Sequence, residues 1–470
     1  MNHLGTSLRS ALVVLLAAVA IVAGAASSAS AATAQYSDTL ADGATWTAEV
    51  PDNWNGIVIL ASHGFGPPAI PPFGHLPPPV QNALLERGYA VAGSSYDPNG
   101  SWWALKSAVR DQLATIDAFT AAVGEEPERV LALGTSMGGL VSALEAEQTQ
   151  GDIDGALTTC GIVAGAIHLN NYQLDAEYVI SKLLAPLPIQ LVNFPTIPGG
   201  FASGAALTAA AQAAQTTPEG RARLSLALAF LNAPPAPAPA GQPIPTMNDP
   251  EAFEAAQYNG YFGGPFSVMV FIQAARPWIE VSAGGNGSWT LGEDFKSLLD
   301  HSPYARVVRA LYKKAGLDLK ADLETLTAGA NIPADPLAIA SLQQTSVPTG
   351  ELKVPELNLH TLYDHLVPVE QENEYRAIVR KAGKNSLLRQ AYIDSIGHCN
   401  FTPAEIVAGV EALRYRVETG RWDSVAEPQK LEALANGLGL GDAAFVRYQP
   451  PALSGDNGPF DPDRNALSAG

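Results

Sequence analysis

The apolar run Val130-Leu131-Ala132-Leu133 passes directly into Gly134-Thr135-Ser136-Met137-Gly138, and helical composition follows over residues 138–147 without a spacer. A run that is apolar at every position reads as a strand buried on both faces. A strand that gives way to a helix within a few residues must reverse in one sharp turn, which points to folds that alternate strand and helix. The alternation extends in both directions. Residues 56–62 and 89–93 are further buried strands, residues 45–50 alternate polar and apolar as a half-exposed strand does, and residues 79–87 can form a helix between them. Leu105, Val109, Leu113, Ile116 and Val123 follow helical spacing, with Gly124 where a cap belongs. Residues 156–163, 357–362 and 388–393 are the remaining strand candidates. The expected class is therefore α/β, a mostly parallel sheet with helices on both faces.

From 168 to 350 the alternation lapses into an Ala-, Leu-, Gly- and Pro-rich stretch with helix-like pieces at 204–214 and 221–231. We expect a mainly helical cap inserted into one catalytic domain, whose two parts are residues 32–167 and 351–448. An independent second domain is the competing reading. Residues 233–239, where proline recurs, read as a stiff connector, and the Pro-, Gly- and Asp-rich residues 449–470 read as a loose tail. At the other end, Arg9 precedes an apolar run over 11–25, and small residues offer cleavage near Ala31 or Ala34. This is the pattern of a signal peptide spanning 1–31, so export is expected, with an uncleaved anchor as the alternative.

The formal net charge is −19. So acidic a chain repels phosphate backbones and anionic lipid, which makes nucleic acid and membrane surfaces poor partners and favours a neutral or apolar substrate. Hydrophobic residues make up 47% and charged residues 16%, enough apolar mass for a large core. No zinc-type Cys/His spacing, dinucleotide glycine fingerprint or phosphate loop is present, so neither a metal nor a cofactor is expected.

Gly-x-Ser-x-Gly alone is a weak signal, and an ordinary glycine-rich turn is its bland explanation. Between a buried strand and a helix it gains meaning. Side chains two positions before and after Ser136 would collide in so sharp a turn, and the helix start beneath the serine favours developing negative charge. A serine hydroxyl needs a base, and the base needs an orienting carboxylate. Of eight histidines, His398 is the best placed. It follows the last strand candidate and precedes Thr402-Pro403-Ala404-Glu405, a capping box with proline at the first helical position. His168 and His301 fall in the insertion. Asp364 follows the strand candidate at 357–362 and completes the order Ser, Asp, His. Asp394 is a rival, though its place within a strand points it away from His398, and Glu370 is a third choice. The tetrahedral oxyanion needs amide donors, and Met137 supplies one as the residue after the nucleophile. The loop His63-Gly64-Phe65-Gly66 offers the other, from Phe65 or the neighbouring Gly64, with His63 itself in a structural role.

Taken together, His63-Gly64-Phe65-Gly66, Gly134-Thr135-Ser136-Met137-Gly138-Gly139, Asp364-His365-Leu366-Val367-Pro368 and Gly397-His398 resemble the α/β-hydrolase superfamily over residues 45–165 and 350–420. The resemblance is to secreted bacterial serine esterases and lipases. It implies Ser136, His398 and Asp364 as triad and Phe65 and Met137 as oxyanion hole. One departure is that the oxyanion loop carries a single His-Gly rather than a longer glycine run. Cys160 and Cys399 are the two cysteines. They would both lie on the active-site side of such a sheet, where a disulfide between them would anchor the histidine loop, two buried thiols being the alternative. The expected activity is carboxylic ester hydrolysis through an acyl-enzyme. A secreted peptidase, using Asp249, Glu251 or Glu254 to hold a substrate amine, and a non-catalytic binding protein on a hydrolase scaffold are the alternatives. Trp102-Trp103, residues 258–262 and Trp278 are expected in packing or in the pocket wall. Asn99, Asn286 and Asn400 match the glycosylation pattern.

Overall fold

The computed structural model describes residues 33–67, 76–236, 241–264 and 267–454. The expected signal segment, the end of the proline connector and the tail from 455 lie outside the described residues.

Nine strands form one sheet: β1 (Thr33–Thr39), β2 (Thr45–Pro51), β3 (Ile57–Ser62), β4 (Ala90–Ser94), β5 (Arg129–Thr135), β6 (Gly155–Thr159), β7 (Glu356–Tyr363), β8 (Leu388–Ile396) and β9 (Phe445–Val446). Their spatial order is β1-β2-β4-β3-β5-β6-β7-β8-β9, with β4 through β8 parallel and the outer strands antiparallel. The strands read as buried on both faces are the central ones, and the α/β class holds. β1 carries no sequence signal because it is an edge strand whose residues are mostly exposed, so no face of it needs an apolar period.

Helices α1 (Pro78–Glu86), α2 (Ala108–Val123) and α3 (Met137–Gln148) fill the first crossovers. α2 ends at Gly124, which takes the left-handed conformation at φ 79°. It begins later than the spacing predicts, because Leu105 is buried in the turn before it rather than in its first coil. β6 is likewise shorter than predicted. Cys160, at φ 47°, turns the chain away from the sheet, and the apolar residues 162–163 pack as a loop.

β6 and β7 are sheet neighbours, yet between them the described residues run through nine helices. These are α4 (Ala166–Leu183), α5 (Ile197–Ala214), α6 (Pro218–Phe230), α7 (Pro250–Phe262), α8 (Val268–Ala283), α9 (Phe295–His301), α10 (Ala305–Ala315), α11 (Leu319–Gly329) and α12 (Pro336–Thr345). They bury a core of their own, built on residues such as Leu226, Phe230, Phe295 and Tyr312. A second cluster joins them to the sheet, with Met137 and Leu140 of α3 packed with Leu169 of α4, Ile279 of α8 and Leu342 of α12. The described residues from Thr33 to Ser454 cluster as one compact unit. None of the described helices is long and apolar enough to cross a membrane.

α13 (Gln371–Lys381) follows β7, and α14 (Pro403–Thr419) and α15 (Pro428–Leu438) follow β8. α14 starts with the capping box read from the sequence, Thr402 and Glu405 each bonding the other's backbone N–H, with Pro403 in the first turn. The tail departs from expectation in its described part. Asn232 bonds both backbone groups of Ser454, and Asn373 donates to the Pro450 carbonyl, so residues 450–454 are pinned rather than loose.

Candidate active site

Ser136 stands between the last residue of β5 and the first of α3, at φ 60° and ψ −121°. A residue with a side chain enters this region only where its surroundings force it. The surroundings here are two glycines. A Cβ on Gly134 would overlap the Gly138 carbonyl, and one on Gly138 would overlap the Ser62 carbonyl of β3. The turn is closed further by Ser136 N–H donating to the Thr159 carbonyl at 3.0 Å.

His398 lies on the short loop between β8 and α14. Its Nε2 is 2.9 Å from Ser136 Oγ and its Nδ1 is 2.7 Å from Asp364 Oδ2. Asp364 directly follows β7 and is fully buried, and its Oδ1 accepts the backbone N–H groups of Leu366 and Val367 at 2.8 and 2.9 Å. Burial alone would raise its carboxyl, but the charge and hydrogen bond of His398, the charge of His360 and the Val367 N–H outweigh burial and hold it below its ordinary value. An ionised Asp364 requires the proton of the ring on Nδ1, which turns the lone pair of Nε2 toward Ser136. The structure thus brings Ser136, His398 and Asp364 into one hydrogen-bonded chain. Asp394 faces solvent on β8, and Glu370 is buried at the start of α13, where burial raises its carboxyl to about 7 against its own backbone hydrogen bond and the charge of His360. Neither bonds His398 among the described residues.

The loop that carries the histidine is tied at two points. Thr361 of β7 donates to the Gly397 carbonyl, Gly397 N–H donates to the Tyr363 carbonyl, and Cys160 and Cys399 form a disulfide with their Cα atoms 5.3 Å apart. With His398 the two sulfurs make a cluster whose ligand atoms lie within 4.8 Å of one another, but sulfurs bonded to each other do not offer the thiolates a metal needs. The three carboxylates considered for holding a substrate amine have other partners. Asp249 caps α7, Glu251 pairs with Lys314, and Glu254 is bonded to Arg221 at 2.7 Å.

A cavity of about 430 Å³ opens at Ser136 and His398. Its wall is apolar, with Phe65 from the loop after β3, Trp103, Ile162, and from the helical insertion Leu169, Phe271 and Ile279. Gln173 of α4 is a polar exception that sequence reasoning missed, since nothing in its spacing marks it. Phe65 packs edge-on against Trp102 and Phe271, and Trp102 stacks on Trp278 at 4.9 Å. Tyr261 lies edge-on to His365 in the core. Met137 begins α3, where a backbone N–H has no acceptor within the helix. His63 is buried, stacked on Tyr96 at 3.9 Å with Nδ1 2.8 Å from the Gly64 carbonyl, a packing position rather than one facing Ser136. Asn286 is buried and fully bonded, which removes it as a glycosylation site, whereas Asn99 is exposed.

A second buried constellation also escaped the sequence. His360 of β7 is bonded to Glu372 of α13, and Glu372 in turn accepts from Asn358 and Gln390.

No family model matches the chain. It is 31% identical over 439 residues to the o-phthalyl amidase of Xanthobacter agilis, an alignment covering 86% of this chain and 92% of the relative. Among solved structures it is similar to an esterase from Aspergillus oryzae, at 13% identity, 83% and 80% coverage of the two chains and a TM-score of 0.44. A feruloyl esterase B from the same organism is similar at 13% identity, 83% and 82% coverage and a TM-score of 0.42.

Proposed function

The chain belongs to one family with the o-phthalyl amidase of Xanthobacter agilis, and from that premise we propose that it is a serine hydrolase of the α/β-hydrolase superfamily cleaving carboxylic esters. The observation that carries the reading is the continuous chain Ser136–His398–Asp364 at the mouth of an apolar cavity. In this mechanism His398 Nε2 takes the hydroxyl proton as Ser136 Oγ attacks the carbonyl carbon. Asp364 stabilises the resulting imidazolium. The backbone N–H groups of Met137 and Phe65 hold the oxyanion, helped by the amino terminus of α3. His398 then returns the proton to the leaving alcohol, and water releases the acyl group from Ser136 by the same steps in reverse.

The cavity suits a neutral, apolar acyl group. Among its described lining residues the one ionisable side chain is His398, so a charged acyl group would be desolvated without a partner. The net charge of −19 acts against anionic substrates in the same direction. The helical insertion, which supplies Leu169, Phe271 and Ile279 to the wall, serves as a cap over the acyl site. Export is part of the proposal, supported by the pattern of residues 1–31 and by a disulfide of the kind that persists in oxidising compartments.

Amide cleavage is the second reading, favoured by the relative's activity, and the same triad performs it. Two measurements decide. Ser136→Ala lowers kcat/KM on p-nitrophenyl acyl esters by roughly 10⁴-fold or more, and a variant with full activity overturns the assignment. On an ester and an anilide of the same acyl group, the ester reading predicts the higher kcat/KM for the ester, and a faster anilide makes the enzyme an amidase.

A further inference from the structure

Asp364 does not rest on the protein wall alone. His360, four residues earlier on β7 and fully buried, lies behind it, with Nε2 3.8 Å from Oδ2, the same oxygen that meets His398. The ring's other contacts fix its protonation. Nδ1 is 3.0 Å from Glu372 Oε1, and Nε2 is 2.8 Å from the Val367 carbonyl oxygen. A neutral imidazole offers one N–H and one lone pair, so it satisfies one of these acceptors and sets a lone pair against the other. An imidazolium satisfies both. Glu372 is held in place beside the ring: its Oε2 accepts from Asn358 Nδ2 at 3.1 Å and from Gln390 Nε2 at 2.6 Å.

We propose that His360 is a positioning residue for the reaction: a buried imidazolium, clamped by Glu372 and the Val367 carbonyl, that keeps Asp364 ionised and moderates the basicity it confers on His398. The proposal rests on the Ser136–His398–Asp364 reading above. Asp364 alone would present its full negative field to the His398 ring. A positive charge behind the carboxylate, with Nε2 of His360 3.8 Å from Oδ2, cancels part of that field.

The groups facing His360 are consistent with a cation. Glu372 approaches from α13, Asp364 and Glu370 from the segment after β7, and β8 contributes the neutral Gln390 and, in register with His360, Tyr392. Burial pulls the His360 ring down, but the hydrogen bond and charge of Glu372, the charge of Asp364 and the Val367 carbonyl together lift it above its ordinary value. Four elements therefore converge on one ring: β7 carries it, α13 clamps it, β8 supports the clamp, and the loop after β7 returns to it through Val367 and Asp364.

The test is the pH profile of kcat/KM on a neutral ester for the full chain and for His360→Gln. The acid limb of the variant is expected to move up by roughly one unit, from loss of a charge 3.8 Å from Asp364 Oδ2, while the alkaline plateau stays within about threefold. A residue that only fills space would lower the plateau and leave the limb in place, and that result overturns the proposal. If the variant does not fold, ¹⁵N-histidine NMR of the unmodified protein decides. Both ring nitrogens of His360 protonated at pH 7.5 support the proposal, and one bare nitrogen overturns it. Fluorophosphonate labelling of Ser136 in the same samples separates the two levels. Absence of labelling rejects the proposed function itself, whereas labelled enzyme with an unmoved limb rejects only the role of His360.

Discussion

At the scale of single residues, the elbow at Ser136 is held by what Gly134 and Gly138 lack. Gly138→Ala would drive a methyl group into the Ser62 carbonyl of β3, a backbone atom that cannot step aside. We expect loss of more than about 2 kcal/mol in chemical denaturation together with loss of fluorophosphonate labelling. Asp364→Asn should leave the fold intact and lower kcat roughly 10³–10⁴-fold, because an amide donor selects the wrong tautomer of His398, while Asp394→Asn on the solvent face stays within about twofold. Steady-state kinetics of the two variants distinguish the acid from its rival. Ser136, Asp364 and His398 were legible in the sequence because each sits at the carboxyl end of a recognisable strand. His360, Glu372 and Gln173 were not. Their contacts are made across strands and helices whose register no local pattern encodes, and Asn358 and His360, which alternate with Leu357 and Leu359 along β7, read as ordinary positions of a buried strand.

At the scale of elements, the place of His398 depends on a loop and the loop on its anchors. The disulfide ties Cys399, next to His398, to Cys160 at the end of β6, closing a loop of 239 residues. The double variant Cys160→Ser, Cys399→Ser should lose about 2–4 kcal/mol of stability, most of it through the freed unfolded chain, with kcat reduced more than KM is raised. Urea denaturation and kinetics of the same preparation check both halves. The central strands were readable since burial on both faces demands apolar side chains at every position. Helix boundaries within the insertion were not. α5, for example, is apolar or small on nearly every side and so has no polar stripe to reveal its period.

At the scale of the whole molecule, buried carboxyls make stability fall with rising pH. Burial pushes both Glu145 and Glu356 up to about 8, only partly offset by the hydroxyls of Ser62 and Tyr375. Folded, they hold protons that the unfolded chain, at about 4.5, has already released, so unfolding releases protons between pH 4.5 and 8 and stability drops across that window. His365, lowered by burial despite the charge of Asp364, acts oppositely but only below about 6.5. Tm should therefore fall from pH 6.5 to 8 at constant ionic strength, less so for Glu145→Gln, and a Tm that rises over that interval contradicts the assignment. The cluster around Met137, Leu169 and Ile279 joins the insertion to the first helix after Ser136, and the cavity at Ser136 is lined from both, so the proposed mechanism and the architecture meet at the same serine. The most direct measurement is mass-spectrometric mapping of the chain after reaction with a fluorophosphonate. One adduct on Ser136, absent from Ser136→Ala and from enzyme preincubated with substrate ester, is the predicted result. An unlabelled Ser136 in folded protein that still hydrolyses esters would contradict it.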